Sequence, residues 1–290
     1  MSRGIILLCL LMVIFSCAKN KVIDSSRPSI NIGTDSNLDI ITWNLQNFPK
    51  HNTTINYLLE LISIMDPDII ALQEIENETA FNTLKDGLAN YNGIITNSAS
   101  YNINLALLYS NNLEVESIYE IFEDDWWSFP RSPLVAQIVW NGQNVYIINN
   151  HFKAMGGTEN KARRKTASEK LENYVNEYWG DENIIILGDL NDDLNDEGVN
   201  VFQNFINDST NYKFLDMEIA YGSYTNFSKP DYPSHLDHIL ITNELFDEFK
   251  NPGSKVETIH IENYFDGGWN EYENFVSDHR PVGLSLNFNP

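Results

Sequence analysis

The run IIILGDLNDD, residues 184–193, decides how the chain is read. Ile184, Ile185, Ile186 and Leu187 are consecutive apolar residues, three of them β-branched, which is the composition of a buried strand. Gly188 ends it. Asp189, Asn191, Asp192 and Asp193 then crowd the strand end, where side chains can converge on a cation or a phosphate. Gly, Asn and Asp are also ordinary turn residues, so the run alone fits a polar turn equally well. Asp189 and Asn191 are two positions apart and are expected to face one way, leaving Asp192 and Asp193 to the turn.

Outward from this run, the pattern of an apolar stretch closed by a polar residue recurs. Leu38 to Trp43 reads as a strand with Asn44 at its end, and Asp68 to Leu72 as another ending in Gln73 and Glu74. Ile55 to Met65 has helical spacing and is stopped by Asp66 and Pro67; Glu78 to Leu88 is a second helix. After Tyr91 the runs become shorter and β-like: Leu105 to Tyr109, Leu113 to Phe122, Leu134 to Trp140 and Val145 to Asn149, with Asn141-Gly142 as a hairpin turn. Glu159 to Trp179 is the longest helix expected and Val199 to Ile206 a shorter one. His235 to Ile241, Lys255 to Ile261 and Val282 to Phe288 complete the strands. Many strands interleaved with few helices imply two sheets with helices outside, a layered α+β domain.

Acidic, amide and imidazole groups stand at these strand ends: Asn44 in TWNLQNF, Glu74 in ALQEIE, His151 in INNHFKA, Asp189 and Asn191 in GDLND, Asp237 in HLDHILI, and Asp278 with His279 in SDHRPV. Singly, each fits a turn or a hydrogen-bonded core residue. In this order they resemble the endonuclease/exonuclease/phosphatase family, the group with the DNase I-like fold, from ITWNLQNF through to SDHRPVGLSL. NNHFKAMGG and HLDHILIT are most similar to secreted bacterial nucleases. The resemblance implies a four-layer α/β/β/α sandwich with its site at one edge. It makes Glu74 and Asp278 the main divalent-metal ligands, with Asn44, Asp189 and Asn191 completing the metal and phosphate surroundings; oxygen donors of this kind favour Mg²⁺, Mn²⁺ or Ca²⁺. His279 is then the general base, oriented by Asp237, and Asp189 handles the water or the leaving group. His151 contacts the phosphate or protonates the leaving oxygen, and Arg131 in FPRSPL grips the phosphate with its guanidinium fork. Two positions depart from the family. Asn102, Ile103 and Asn104 stand where a glutamate supporting the second histidine is expected, and His235 stands where related nucleases carry arginine. His235, two before Asp237, is expected to reach the phosphate from the same strand face, with His238 structural.

Charge and chain ends bound the partners. A net charge of −23 excludes tight binding of nucleic acid by overall charge, although bound cations or a local basic cluster can reverse the field at a site. Lys161, Arg163, Arg164, Lys165 and Lys170 hold five of the 18 basic residues within one expected helix, just after His151 and Lys153. This is expected to be the footprint of a polyanion, against the alternative of a solvated helical face. The expected activity is a metal-dependent phosphodiesterase, an endonuclease of low sequence specificity on DNA, with RNA as a further substrate. Trp126, Trp127 and Phe129 raise a second reading, a sphingomyelinase-like or phospholipase C-like enzyme, and a small-molecule phosphatase is the third. At the start, Arg3 and the apolar run Gly4 to Phe15 read as a signal peptide over residues 1–16, and Val13 to Cys17 resembles a bacterial lipoprotein cleavage box. Cys17 would then carry the lipid anchor to a membrane, at the periplasmic or extracellular face of a bacterial envelope. Cys9 would leave with the signal, so no intramolecular disulfide is expected. Residues 17–37 read as a tether and 38–290 as one domain, monomeric, with no protein partner implied.

Overall fold

The computed structural model describes residues 29–196 and 198–289; the expected signal peptide and Cys17 lie outside the described residues. In chain order the elements are β1 (Leu38–Phe48), α1 (Thr54–Met65), β2 (Ile69–Ile75), α2 (Glu78–Gly87), β3 (Tyr91–Ile95), β4 (Asn104–Ser110), β5 (Glu114–Glu120), β6 (Leu134–Trp140) and β7 (Gln143–His151). They continue with α3 (Thr158–Tyr178), β8 (Asn183–Asp189), α4 (Gln203–Asn207), β9 (Tyr212–Phe214), α5 (Met217–Ala220), β10 (Asp237–Thr242), α6 (Phe246–Lys250), β11 (Lys255–Thr258), α7 (Gly268–Phe275) and β12 (Val282–Leu286).

The strands form two six-stranded sheets, ordered β11-β12-β1-β2-β4-β3 and β5-β6-β7-β8-β10-β9. Only β1 with β2 and β7 with β8 pair in parallel; the other neighbours are antiparallel. Strand β8 shows why its sequence is apolar without interruption. Ile185 and Leu187 point into the core between the sheets, with Leu38, Ile40, Leu105 and Ile147. Ile184 and Ile186 point the other way, against Leu171 and Val175 of α3. Both faces are therefore buried, and period-two alternation turns every residue of the run inward to one core or the other. A third core packs Ile41 and Trp43 of β1 against Leu58, Leu61 and Ile62 of α1, Leu84 of α2 and Tyr272 of α7. Helices, sheet, sheet, helices is the four-layer arrangement expected.

Several boundaries differ from the sequence reading. The expected helix at Val199 to Ile206 is confined to Gln203–Asn207, because Asn200 turns back to bond its own loop: its amide donates to the Leu194 carbonyl (2.7 Å) and its oxygen accepts from Phe202 N–H. The strand expected from His235 begins only at Asp237. The short edge strands β3 and β9 and helices α6 and α7 were not anticipated. Residues 29–37, expected within the tether, pack on the domain: Ile30 and Ile32 are buried against the α1 side of the first sheet, and the N–H groups of Ile32 and Gly33 donate to Met65 O.

Candidate active site

Register in the second sheet assembles the site. Asp189 pairs with His151 of β7 on one side and with Asp237 of β10 on the other. The three strands approach closely here because Gly188 has φ 137° and a Cβ at that position would lie 2.0 Å from Asn150 O. Only glycine fits, and this places Asp189 between an imidazole and a carboxylate. The first sheet contributes Asn44 from β1 and Glu74 from β2. Both flank a register shift, and Glu74 sits at φ 61°, a left-handed bulge that re-aims its side chain across the sheet edge.

The polar groups then converge. Asn44 Nδ2 donates to Asp189 Oδ2 (2.8 Å) and Glu74 Oε1 (3.2 Å), while Asn47 N–H donates to Glu74 Oε2 (3.0 Å). His151 Nε2 lies 3.6 Å from Asp189 Oδ2 and 3.8 Å from Glu74 Oε1. Among the described residues neither ring nitrogen of His151 has a hydrogen-bond partner, in keeping with the missing glutamate near Asn104. Burial, with Arg131 and His279 adding to it, holds its proton affinity well below that of an ordinary histidine, so the ring is neutral.

His279 is the opposite case. Its Nδ1 donates to Asp237 Oδ2 at 2.7 Å, which fixes the ring and leaves Nε2 to face the cleft. Burial alone would lower its pKa, but the Asp237 charge and hydrogen bond, joined by Asp189, raise it to about 9. Burial likewise pushes Asp189 up to about 6, against the opposing pull of His279. For Asp237 burial raises the pKa, but the charge and hydrogen bond of His279 together with the Ser228 hydroxyl outweigh it, and its carboxyl lies below the usual range. Asp278, next along, accepts from Lys229 Nζ at 2.5 Å, and the same ammonium lies 3.1 Å from His279 Nε2. Its loop is docked on β1: Ser277 Oγ donates to Asn44 O (2.6 Å) and Asp278 N–H donates to Gln46 Oε1 (3.1 Å).

Arg131 is 9% exposed, yet its guanidinium has only a long bond to Phe152 O (3.5 Å), and its buried Nε has no partner among the described residues. It is held beside Glu74 and Asp189, whose charges oppose the lowering of its pKa by burial. A buried guanidinium with unused donors at a cleft is equipped to take an anion with two oxygens. For a cation, two overlapping sets bring their ligand atoms within 4.8 Å of one another: Glu74, His151 and Asp189, and Asp189, Asp237 and His279. With Asn44 and Asp278 alongside, the donors are mostly oxygen, which fits a hard divalent ion.

Other expectations are corrected. His235 is fully buried, accepts from Ser228 N–H at Nδ1 (3.2 Å) and lies 3.1 Å from Asp216 Oδ2 at Nε2, so no atom of it faces the cleft. His238 bonds the same carboxylate (2.6 Å), and the two histidines hold the Asp216 carboxyl well below its usual range despite burial. Asn191 reaches the site through a left-handed turn (φ 54°) instead of strand alternation: its N–H donates to Asp189 Oδ1 (3.0 Å) and its amide to Phe152 O (3.2 Å). The basic stretch of α3 is not a free cationic face. Arg164 is buried against Asp192 (2.7 Å), Lys161 pairs with Asp196 (2.5 Å), and Lys165 and Lys170 pair with Glu169 and Asp125. Lys229 and the Gln73–Asn149 bond (2.8 Å) that ties the sheets together beneath the site were missed. The only signal of that bond in sequence was a polar residue within an apolar strand, which Gln73 and Asn149 share; Lys229 gave none.

A two-sheet sandwich with carboxylates, two histidines and an arginine converging at one edge defines a hydrolase of phosphate esters. Over residues 41–279 the chain matches the Endonuclease/Exonuclease/phosphatase family, and it belongs to that family. Its members are divalent-metal-dependent hydrolases of phosphodiesters and phosphate esters. Similar solved structures include D. rerio TDP2 complexed with single strand DNA product (17% identity, TM-score 0.65, covering 87% of this chain and 100% of that one). The human Nocturnin catalytic domain with bound sulfate is similar at 18% identity and TM-score 0.63 (88% and 94% covered). A mannosyl-6-phosphatase of Bacteroides thetaiotaomicron is similar at 15% identity and TM-score 0.63 (87% and 100% covered). At these identities the likeness shows the fold. No curated protein matches the chain by sequence.

Proposed function

We propose that the protein is a divalent-metal-dependent endonuclease that hydrolyses phosphodiesters of DNA, with RNA as a further substrate and little sequence preference. The observation that carries this reading is the under-bonded Arg131 guanidinium beside the row His151, Asp189, Asp237 with His279. A scissile phosphate would be held between them. Arg131 takes two of its non-bridging oxygens, and neutral His151 offers a single N–H to the phosphate or the leaving oxygen. Water attacks phosphorus in line and gives its proton to Asp189, the bond to the leaving oxygen breaks, and that oxygen takes a proton from the imidazolium of His279 that Asp237 fixes. Glu74 and Asp278, with Asn44 and Asn191 completing the surroundings, would hold a divalent ion, which would supply charge neutralisation at the phosphate. The fold likeness to TDP2, whose structure holds a single-stranded DNA product, supports a nucleic-acid substrate. The lipid-phosphodiesterase reading loses two of its three aromatics, since Phe129 is 3% exposed and Trp127 is half-buried under Arg163.

Purified protein should nick supercoiled plasmid in Mg²⁺, stop in chelator and resume when Mg²⁺ is restored. Asp189→Ala and His279→Ala should each reduce the rate on the order of 100-fold or more without loss of the folded circular-dichroism spectrum. Inertness on DNA and RNA alongside turnover of sphingomyelin or a sugar phosphate would overturn the reading.

A further inference from the structure

Beyond Arg131 the surface opens into a cleft of ≈ 320 Å³, bordered by Tyr101, Trp126, Pro130, Lys153 and Arg163. With Arg131, three of its lining residues are cations and none is acidic, in a chain with 41 acidic and 18 basic residues. Two large rings stand out from it: Tyr101 is 93% exposed and Trp126 67%. Both are carried on anchored backbone. Tyr101 sits at φ 62° in a left-handed turn, an uncommon conformation for a bulky residue, and the Ser100 N–H donates to Pro130 O (2.9 Å), tying that turn to the Arg131 loop. Arg163 holds the opposite wall: its guanidinium donates to the carbonyls of Trp127 (2.5 Å) and Trp126 (3.1 Å) and lies over the Trp127 ring. Trp127 is thereby packed and Trp126 turned outward. Lys153 stands two residues after His151 and completes the cationic side. Exposed rings carried on anchored backbone beside cations are what an unstacked base and its phosphate need, and the volume lies at the small end of the range of small-molecule sites.

We propose that this cleft is a subsite for one unstacked nucleotide next to the scissile phosphate, its base against Tyr101 and Trp126 and its phosphate against Lys153 and Arg163. The site thereby favours single-stranded nucleic acid over duplex. A base inside a duplex has both faces covered by its neighbours and cannot enter without unstacking. This inference rests on the nuclease reading and deepens it.

The test compares cleavage of a fluorescent single-stranded oligonucleotide, the same strand in a duplex, and a set of strands carrying one abasic residue at successive positions. Wild-type protein in Mg²⁺ should prefer the single strand, and an abasic residue at one fixed distance from the cut should raise KM. Tyr101→Ala/Trp126→Ala should raise KM for the intact strand on the order of tenfold or more, at an unchanged melting temperature, and should no longer respond to the abasic residue. Tyr101→Ala alone should move KM in the same direction. An unaltered KM in the double variant, or equal cleavage of duplex and single strand, overturns the subsite while the nuclease reading stands. Wild-type protein that cleaves none of these strands removes both.

Discussion

At the scale of single residues, the site turns on how one carboxylate is used. Asp237 spends an oxygen on His279 Nδ1, so the ring cannot rotate and its basicity is raised in place. The folded pKa lies above the ordinary histidine value, so the pair's contribution to stability is fully present below the unfolded pKa and is lost as pH rises through about 9. In metal-free protein, the His279 ring signals followed by NMR should titrate near 9. Asp237→Asn removes the charge and should move that midpoint down; an unmoved midpoint would show that Asp237 does not set it. The residue types that build this site were legible because carboxylate, amide and imidazole at a strand end have few structural uses. His235 was misjudged for a physical reason: β10 starts at Asp237, so alternation does not extend back to it, and the buried Asp216 that claims it lies 19 positions earlier on another element. Lys229 was invisible because its loop meets Asp278 only in the folded chain, 49 residues away.

At the scale of elements, the long helix α3 changes meaning between sequence and structure. Its cluster of basic residues looked like an open cationic face, but a linear sequence does not show which carboxylates fold against it. Arg164 does the most. It bonds Asp192 through Nε (2.7 Å) and the carbonyls of Lys153 and Met155 through one terminal nitrogen (2.8 and 2.9 Å), clamping the loop after β7 to the turn after β8. Those are the two segments that follow His151 and Asp189. Arg164→Ala would leave Asp192 buried without its partner, a loss of about 3–5 kcal/mol in denaturant unfolding. Its effect on turnover should exceed that of Lys165→Ala, whose partner Glu169 is half-exposed on the same helix. The strands were easier to read than the helices, since burial on both faces leaves a continuous apolar run such as 184–187. Elements α6 and α7 and strands β3 and β9 are short or mixed in composition, and tertiary packing defines them more than periodicity does.

At the scale of the whole molecule, the boundary of the folded unit follows from what residues 29–37 cover. Ile30 and Ile32, both 5% exposed, close the edge of the core beneath α1, and Gly33 passes so near the helix end that a Cβ there would lie 1.9 Å from Asp66 O. The N–H groups of residues 32 and 33 satisfy the carbonyl of Met65, one of those a helix C-terminus leaves open. Thr34 then donates from its backbone and its hydroxyl to Asp39 Oδ2 (2.7 and 2.9 Å), stabilising a carboxylate whose pKa burial raises. Composition alone made this stretch a tether, because it is polar on average and its two anchoring isoleucines are isolated. A chain shortened to begin at Leu38 therefore loses two buried isoleucines and the bonds to Met65 and Asp39. Each isoleucine is worth roughly 1.5–3 kcal/mol of burial, so a loss of about 3 kcal/mol or more is expected, lowering the melting temperature by roughly 5–10 °C relative to a chain beginning at Ser29. Catalysis should be spared at temperatures where both are folded, since Asn44 and Glu74 are positioned at the opposite ends of β1 and β2 from this contact. Equal melting temperatures for the two chains would return residues 29–37 to the status of a tether.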